Sequence, residues 1–114
     1  MSPAPAAPTP AEMSALADSA HAAARMLKLL ASEQRLIILC KLIEGESSVS
    51  DLAAHVGLAQ SATSQHLAKM RAEGLVATRR DAQTIYYRLD DPAAMRVLDT
   101  LCDIYKAAPT PADR

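Results

Sequence analysis

Phenylalanine and tryptophan are absent from this chain, and three tyrosines are its only aromatics. The interior must therefore be built from Leu, Ile, Val, Met and Ala, a mix that favours helices over a large sheet. Long apolar runs are missing too. The longest, Leu36 to Leu42, is interrupted by Lys41 and is far too short to cross a bilayer. The first fifteen residues lack the basic start and apolar block of a secretion signal, so a cytoplasmic protein with no membrane partner is expected. There, the two cysteines, Cys40 and Cys102, should rest as thiols and not as a structural staple. No nucleophile elbow, phosphate loop or paired-carboxylate setting occurs, so no enzyme and no cofactor are expected. His21, His55 and His66 fall on three different predicted elements, which argues against a tetrahedral metal site.

What is present is one domain's worth of apolar residue: 114 residues, half of them hydrophobic, can bury a single core. Met1 to Ala11 is rich in Pro and Ala, and Ala107 to Arg114 contains Pro109 and Pro111. Disordered tails are expected over 1–13 and 107–114, flanking a folded unit over 14–106. Within it, Leu16, Ala20, Ala23 and Leu27 recur at helical spacing and predict a helix from Ser14 to Leu30. Ser32 can cap a second helix, Glu33 to Glu44, with Leu36, Leu39, Cys40 and Ile43 on its inner face and Gly45 at its end. Ser48 and Asp51 start a third, which runs through Val56 to a turn at Gly57. The fourth spans Gln60 to Glu73, points Thr63, Leu67 and Met70 inward, and stops at Gly74. Val76 to Arg80 and Thr84 to Leu89 alternate in polarity around Asp81, Ala82 and Gln83, the pattern of a hairpin. Asp91 followed by Pro92 opens the last helix, to about Lys106.

Helix, glycine turn, helix and hairpin in that order describe a winged helix-turn-helix. The second helix of the pair presents Gln60 at its tip and Ser61, Ser64, Gln65 and Lys69 outward, a composition suited to a major groove. Gln pairs bidentately with adenine, and small residues let the backbone come close. Arg79 and Arg80, with Arg88, sit on the hairpin where a wing meets phosphates, and Gln83 lies at its tip, either in reach of a minor groove or as an ordinary solvated turn residue. The net charge of −1 does not oppose this: Lys69, Arg71, Arg79, Arg80 and Arg88 outweigh Glu73 and Asp81 between residues 60 and 89, leaving that segment at +3 and the remainder at −4. Ala59, ahead of Gln60, offers no side-chain cap, so the first turn of this helix lacks a contribution of ~1 kcal/mol. His66 flanks the inward face and reads as a packing or phosphate-contacting residue. A winged-helix module that binds protein and not DNA is the alternative from another class.

The segments GLAQSATSQHLAKMRAEGLV and RRDAQTIYYRL carry a specific resemblance. From about Met26 to Tyr105 the chain resembles the ArsR/SmtB family of small dimeric bacterial repressors, most of all its sulfide- and redox-responsive branch, the SqrR, BigR and HlyU types. The resemblance implies four helices, a two-stranded wing and a closing helix, with the first and last helices forming a dimer interface. The residues agree: Leu16, Ala20 and Leu27 on one helix, and Met95, Leu98, Cys102 and Tyr105 on the other, form apolar faces that a core this small cannot cover alone. Metal-responsive regulation is the rival reading within the family. Against it, Ser48-Val49-Ser50 stands where thiolate sensors carry Cys-Val-Cys, and hydroxyls are poor ligands for soft metals.

The resemblance also implies that Cys40 occupies the first sensing position of the redox branch. The second falls there just after the aromatic near the end of the last helix, which here is Lys106; Cys102 lies one helical turn earlier. Two packed core thiols and a sensing pair are both open at this point. Cys40 beside Lys41 is expected as a partly buried thiol near positive charge. The expected function is a homodimeric, mainly α, winged-helix repressor of a palindromic operator, released when Cys40 and Cys102 are oxidised or bridged by persulfide sulfur.

Overall fold

The computed structural model describes residues 6–106; the expected tail over 107–114 and the first five residues of the N-terminal one lie outside the described residues. Six helices and a small sheet follow one another as α1 (Pro10–Asp18), α2 (Ala20–Leu30), α3 (Glu33–Ile43), β1 (Ser47–Ser48), α4 (Val49–Val56), α5 (Gln60–Ala72), β2 (Val76–Asp81), β3 (Thr84–Leu89) and α6 (Pro92–Lys106). This is a winged helix-turn-helix. The single helix expected from Ser14 to Leu30 is instead two, broken at Ser19, where Asp18 and Ser19 are poor helix formers. The first begins at Pro10, inside the stretch expected to lack structure, because Thr9 accepts from the Glu12 backbone N–H and Pro10 is pre-set for a first turn.

Local chemistry explains the remaining boundaries. Ser32 and Ser48 cap α3 and α4, accepting from the backbone of Arg35 and Asp51. Asp91 Oδ1 accepts from Ala93 and Ala94 at 2.9 and 3.2 Å to open α6. Gly57, at φ +76°, ends α4 in the left-handed conformation and turns the chain into α5. The α5 start is uncapped, as Ala59 predicts.

The sheet is antiparallel in the order β1-β3-β2. Its register pairs Val76 with Leu89, Thr78 with Tyr87 and Arg80 with Ile85, which share one face; Ala77–Arg88, Arg79–Tyr86 and Asp81–Thr84 share the other. Sequence periodicity does not reveal β1, a two-residue strand whose Ser47 and Ser48 pair with Tyr87 and Tyr86.

One aliphatic core joins these elements: Ile38 and Leu39 of α3, Leu52 of α4, Leu67 and Met70 of α5 and Leu98 of α6 are fully buried. The expected inner face of α3 is rotated, with Ile38, Leu39 and Leu42 buried and Leu36, Cys40 and Ile43 half-buried. Leu98, expected on a dimer face, belongs to this core. By contrast Leu16, Leu27, Met95, Ile104 and Tyr105 remain exposed, Tyr105 by 73%.

The two-residue wing turn holds Ala82 at φ +56°, a conformation that disfavours any side chain bearing a Cβ. Ala82→Gly should therefore stabilise the protein by roughly 0.5–1 kcal/mol, the relief of strain exceeding the entropy glycine loses on folding. A higher urea midpoint with an unchanged slope is the expected result; a lower midpoint would show that the turn is not strained.

Candidate functional site

Burial of Thr63, Leu67 and Met70 fixes which side of α5 faces outward. Thr63 satisfies its hydroxyl by donating to the Ala59 carbonyl at 3.0 Å and so fills the core without an orphaned polar group. Ser61, Gln65 and Lys69 then fall at steps of four on the exposed side, and Ser64 is half-buried beside them. Gln60 is exposed at the helix tip, but its Nε2 donates to Ser50 Oγ at 3.1 Å, tying the start of α5 back to α4. The wing tip folds toward this end: Gln83, Thr84 and Ile85 line one groove with Ser48, Ser50, Gln60 and Ser64. The tip of the recognition helix and the tip of the wing thus meet in one groove, mainly polar, with Val49 and Ile85 as its apolar lining.

The two expected wing arginines differ. Arg79 is engaged within the protein, its Nε donating to both Glu46 carboxylate oxygens at 2.8 and 3.0 Å, while its guanidinium lies 4.7 Å over the Tyr86 ring. That hydrogen bonding holds the Glu46 carboxyl below the usual carboxylate range and raises the guanidinium further. Arg80 lies on the opposite face of the hairpin, exposed beside Ile85. Sequence reasoning missed Glu46, which is 33 positions from its partner and carries no local signal. His66 is held within the fold, its Nδ1 accepting from Arg35 Nε at 3.3 Å.

On the other side of α3, Cys40 Sγ lies 3.7 Å from Cys102 Sγ on α6. The one-turn displacement of Cys102 does not separate the thiols, because α6 packs directly across the outer edge of α3. Both are half-buried. The expected activation of Cys40 by Lys41 does not follow from the geometry: Lys41 Nζ is turned toward Glu44 at 3.7 Å. Burial, followed by the neighbouring Cys102, pushes the Cys40 thiol up to about 11. Among the described residues, no three His, Cys, Asp or Glu side chains gather as a metal site would require.

A helix-turn-helix with a polar outward face and a wing beside its tip is the architecture of a DNA-binding transcriptional regulator. Comparison with known proteins agrees. The family model described as "Bacterial regulatory protein, arsR family" matches residues 32–78. Nodulation protein NolR of Rhizobium meliloti is 51% identical over 88 residues, covering 77% of this chain and 72% of that protein. The crystal structure of the transcriptional repressor BigR from Xylella fastidiosa superposes with a TM-score of 0.79 at 35% identity, over 84% of this chain and 98% of that one. Reduced HlyU from Vibrio cholerae does so at 0.76 and 41%, over 80% and 96%. The chain belongs to the arsR family of bacterial regulatory proteins.

Two predictions follow from the local chemistry. Arg80→Ala should flatten the dependence of log K on log salt for DNA by about one unit for each bound subunit, as for one lost phosphate contact apiece, and Arg79→Ala by clearly less. Equal losses in fluorescence-anisotropy titrations would mean that Arg79 leaves Glu46 for DNA. For the thiols, the thiolate fraction of Cys40 rises as pH approaches 11 from below. Alkylation of Cys40 by iodoacetamide in the Cys102→Ser variant, where burial persists, should therefore keep accelerating steeply with pH from about pH 7 through pH 10. A rate that levels off between about pH 9 and 10 would show a thiol that burial does not raise.

Proposed function

We propose that the protein is a homodimeric repressor, acting in the cytoplasm, that leaves a palindromic operator when the Cys40–Cys102 pair is oxidised. The observation that carries the sensing role is the 3.7 Å approach of two thiols from helices 62 residues apart in sequence. Closing to a covalent S–S length of about 2.05 Å requires only a small relative movement of α3 and α6. The reaction removes two electrons and two protons from the pair. With an organic persulfide as oxidant, its outer sulfur passes to one thiolate and releases the parent thiol. Attack by the second thiol then expels hydrogen sulfide and leaves a disulfide. Retaining one extra sulfur between the cysteines consumes a second persulfide.

On the DNA side, the reading assigns base contacts to Gln60, Ser61, Ser64 and Gln65, phosphate contacts to Lys69 and Arg80, and a minor-groove approach to Gln83. Arg79 enters mainly as the residue that holds the wing. The dimer is supported by the exposed Leu16 and Leu27 of the first two helices and Met95, Ile104 and Tyr105 of the last, an apolar surface that a two-fold partner would bury. Such a dimer places two recognition helices about 34 Å apart, one turn of DNA.

Treatment with glutathione persulfide should weaken binding to an inverted-repeat duplex, selected by the reduced protein from a random pool, by about 5- to 150-fold. Cys40→Ser and Cys102→Ser proteins should fold, bind and ignore the reagent. Mass spectrometry should find one intramolecular link per subunit. Separate adducts on the two thiols with release intact would remove Cys102 from the mechanism, and undiminished binding by fully linked protein would end the sensing role.

A further inference from the structure

Behind the outward face of α5, the helices α2, α3 and α5 enclose a shallow groove lined by Arg25, Lys28, Leu29, Arg35, Lys69 and Glu73. Four of these six side chains are cationic. Its one carboxylate, Glu73, is already paired with Arg25. Arg35 is fixed in place, its Nη1 donating to the Leu29 carbonyl and its Nε to His66, both at 3.3 Å, which leaves its Nη2 edge uncommitted by those bonds. Lys28 and Lys69 are exposed, and among the described residues neither has a carboxylate partner. The groove therefore holds a surplus of positive charge that the fold does not neutralise.

Its position gives that charge a direction. Ser61, Gln65 and Lys69 of α5 fall at steps of four, with Glu73 at the C-cap continuing the row, so the row that offers candidate base contacts at its N-terminal half runs directly into the groove at its C-terminal half. A helix lying in a major groove with its first turns on the bases brings its later turns toward the sugar-phosphate wall. We infer that the groove between α2, α3 and α5 binds the phosphate backbone of duplex DNA, with Lys28, Arg35 and Lys69 as the contacting cations and the Arg25–Glu73 pair fixing α2 against α5. This deepens the DNA-binding reading and rests on it. It extends the footprint of each subunit from the recognition helix and wing to the last turn of α2, and contributes affinity without sequence preference.

The test compares wild type, Lys28→Gln/Lys69→Gln and, as a control remote on α6, Arg96→Gln. Each binds a random-sequence duplex of about 30 base pairs, close to three helical turns, and the selected inverted repeat over a salt series. Each phosphate contact makes the loss of affinity between 50 and 200 mM salt about 3.5-fold larger. The double variant removes two contacts from each subunit, four from the dimer, and should therefore lose about 150-fold less affinity over that range than wild type, on both duplexes alike, while Arg96→Gln follows wild type. A double variant with an unchanged salt dependence, or an equal change in Arg96→Gln, overturns the groove as a contact. Loss on the inverted repeat alone overturns it in favour of base reading. Wild-type protein that binds neither duplex would overturn the DNA reading itself and the groove with it, a result distinct from the others.

Discussion

The packing of α3 is the constraint on which the rest of the molecule depends. This helix meets α2, α4, α6 and the wing strand β3, and its Ile38, Leu39 and Leu42 are buried in the core that joins these elements. With no Phe or Trp to fill volume, that core is a close fit of branched aliphatics, Ala94 and Met70, with the ring of Tyr87 packed among them. Displacing α3 consequently disturbs the core it shares with Leu52 and Leu67, the residues that seat the helix-turn-helix pair. The same helix carries Cys40 on its edge. A device that moves α3 against α6 is therefore mechanically adjacent to the DNA-reading helix, without any need for a long relay.

Charge is allocated in a way the net value conceals. A chain of net charge −1 places its cations in two kinds of environment. Arg79 and Arg25 are held by Glu46 and Glu73, and both pairs link elements far apart in sequence. Exposed ion pairs of this kind contribute little to stability; what they do is fix the wing relative to the loop before β1, and α2 relative to α5. Lys28, Lys69 and Arg80, without such partners among the described residues, supply the unneutralised field. Positioning and attraction are thereby carried by different residues, although one-dimensional inspection counts them all as equivalent basic charges.

Much of this was legible in the sequence where the determining physics is local. Ser32, Ser48 and Asp91 cap their helices as read, Gly57 makes its turn, and the alternation from Val76 to Leu89 gives the hairpin. Inward placement of Thr63, Leu67 and Met70 follows from helical spacing alone. The failures are of other kinds. Two residues are too short to show a strand period, so β1 escapes notice, and the break at Ser19 is a weak propensity signal inside a strongly helical, Ala-rich stretch. The Arg79–Glu46 pair depends on a three-dimensional neighbour. The basic groove is invisible because Arg25, Lys28 and Arg35 lie in the part of the chain whose summed charge is negative. Leu98 and Tyr105 share α6 at a spacing consistent with one face, yet one is fully buried and the other 73% exposed; only the placement of α3 decides between them.

The thiol pair shows how one geometry sets both a resting state and a threshold. Burial and the nearby second sulfur keep Cys40 protonated near neutrality, which slows any oxidant that needs a free thiolate. Once a first sulfur is modified, the 3.7 Å separation presents the second thiol at high effective concentration, so the intramolecular step competes well against further adducts. Under the proposed sensing role, a pair of this kind would respond weakly to a diffuse oxidising background and decisively to a reagent that completes the first step. Because the link would join α3 to α6, and α6 also bears the exposed Met95, Ile104 and Tyr105, the strain of closure falls on the helix that carries the candidate dimer face. In a two-fold assembly, a shift there changes the separation of two recognition helices together, and that separation is what a palindromic site with fixed half-site spacing measures.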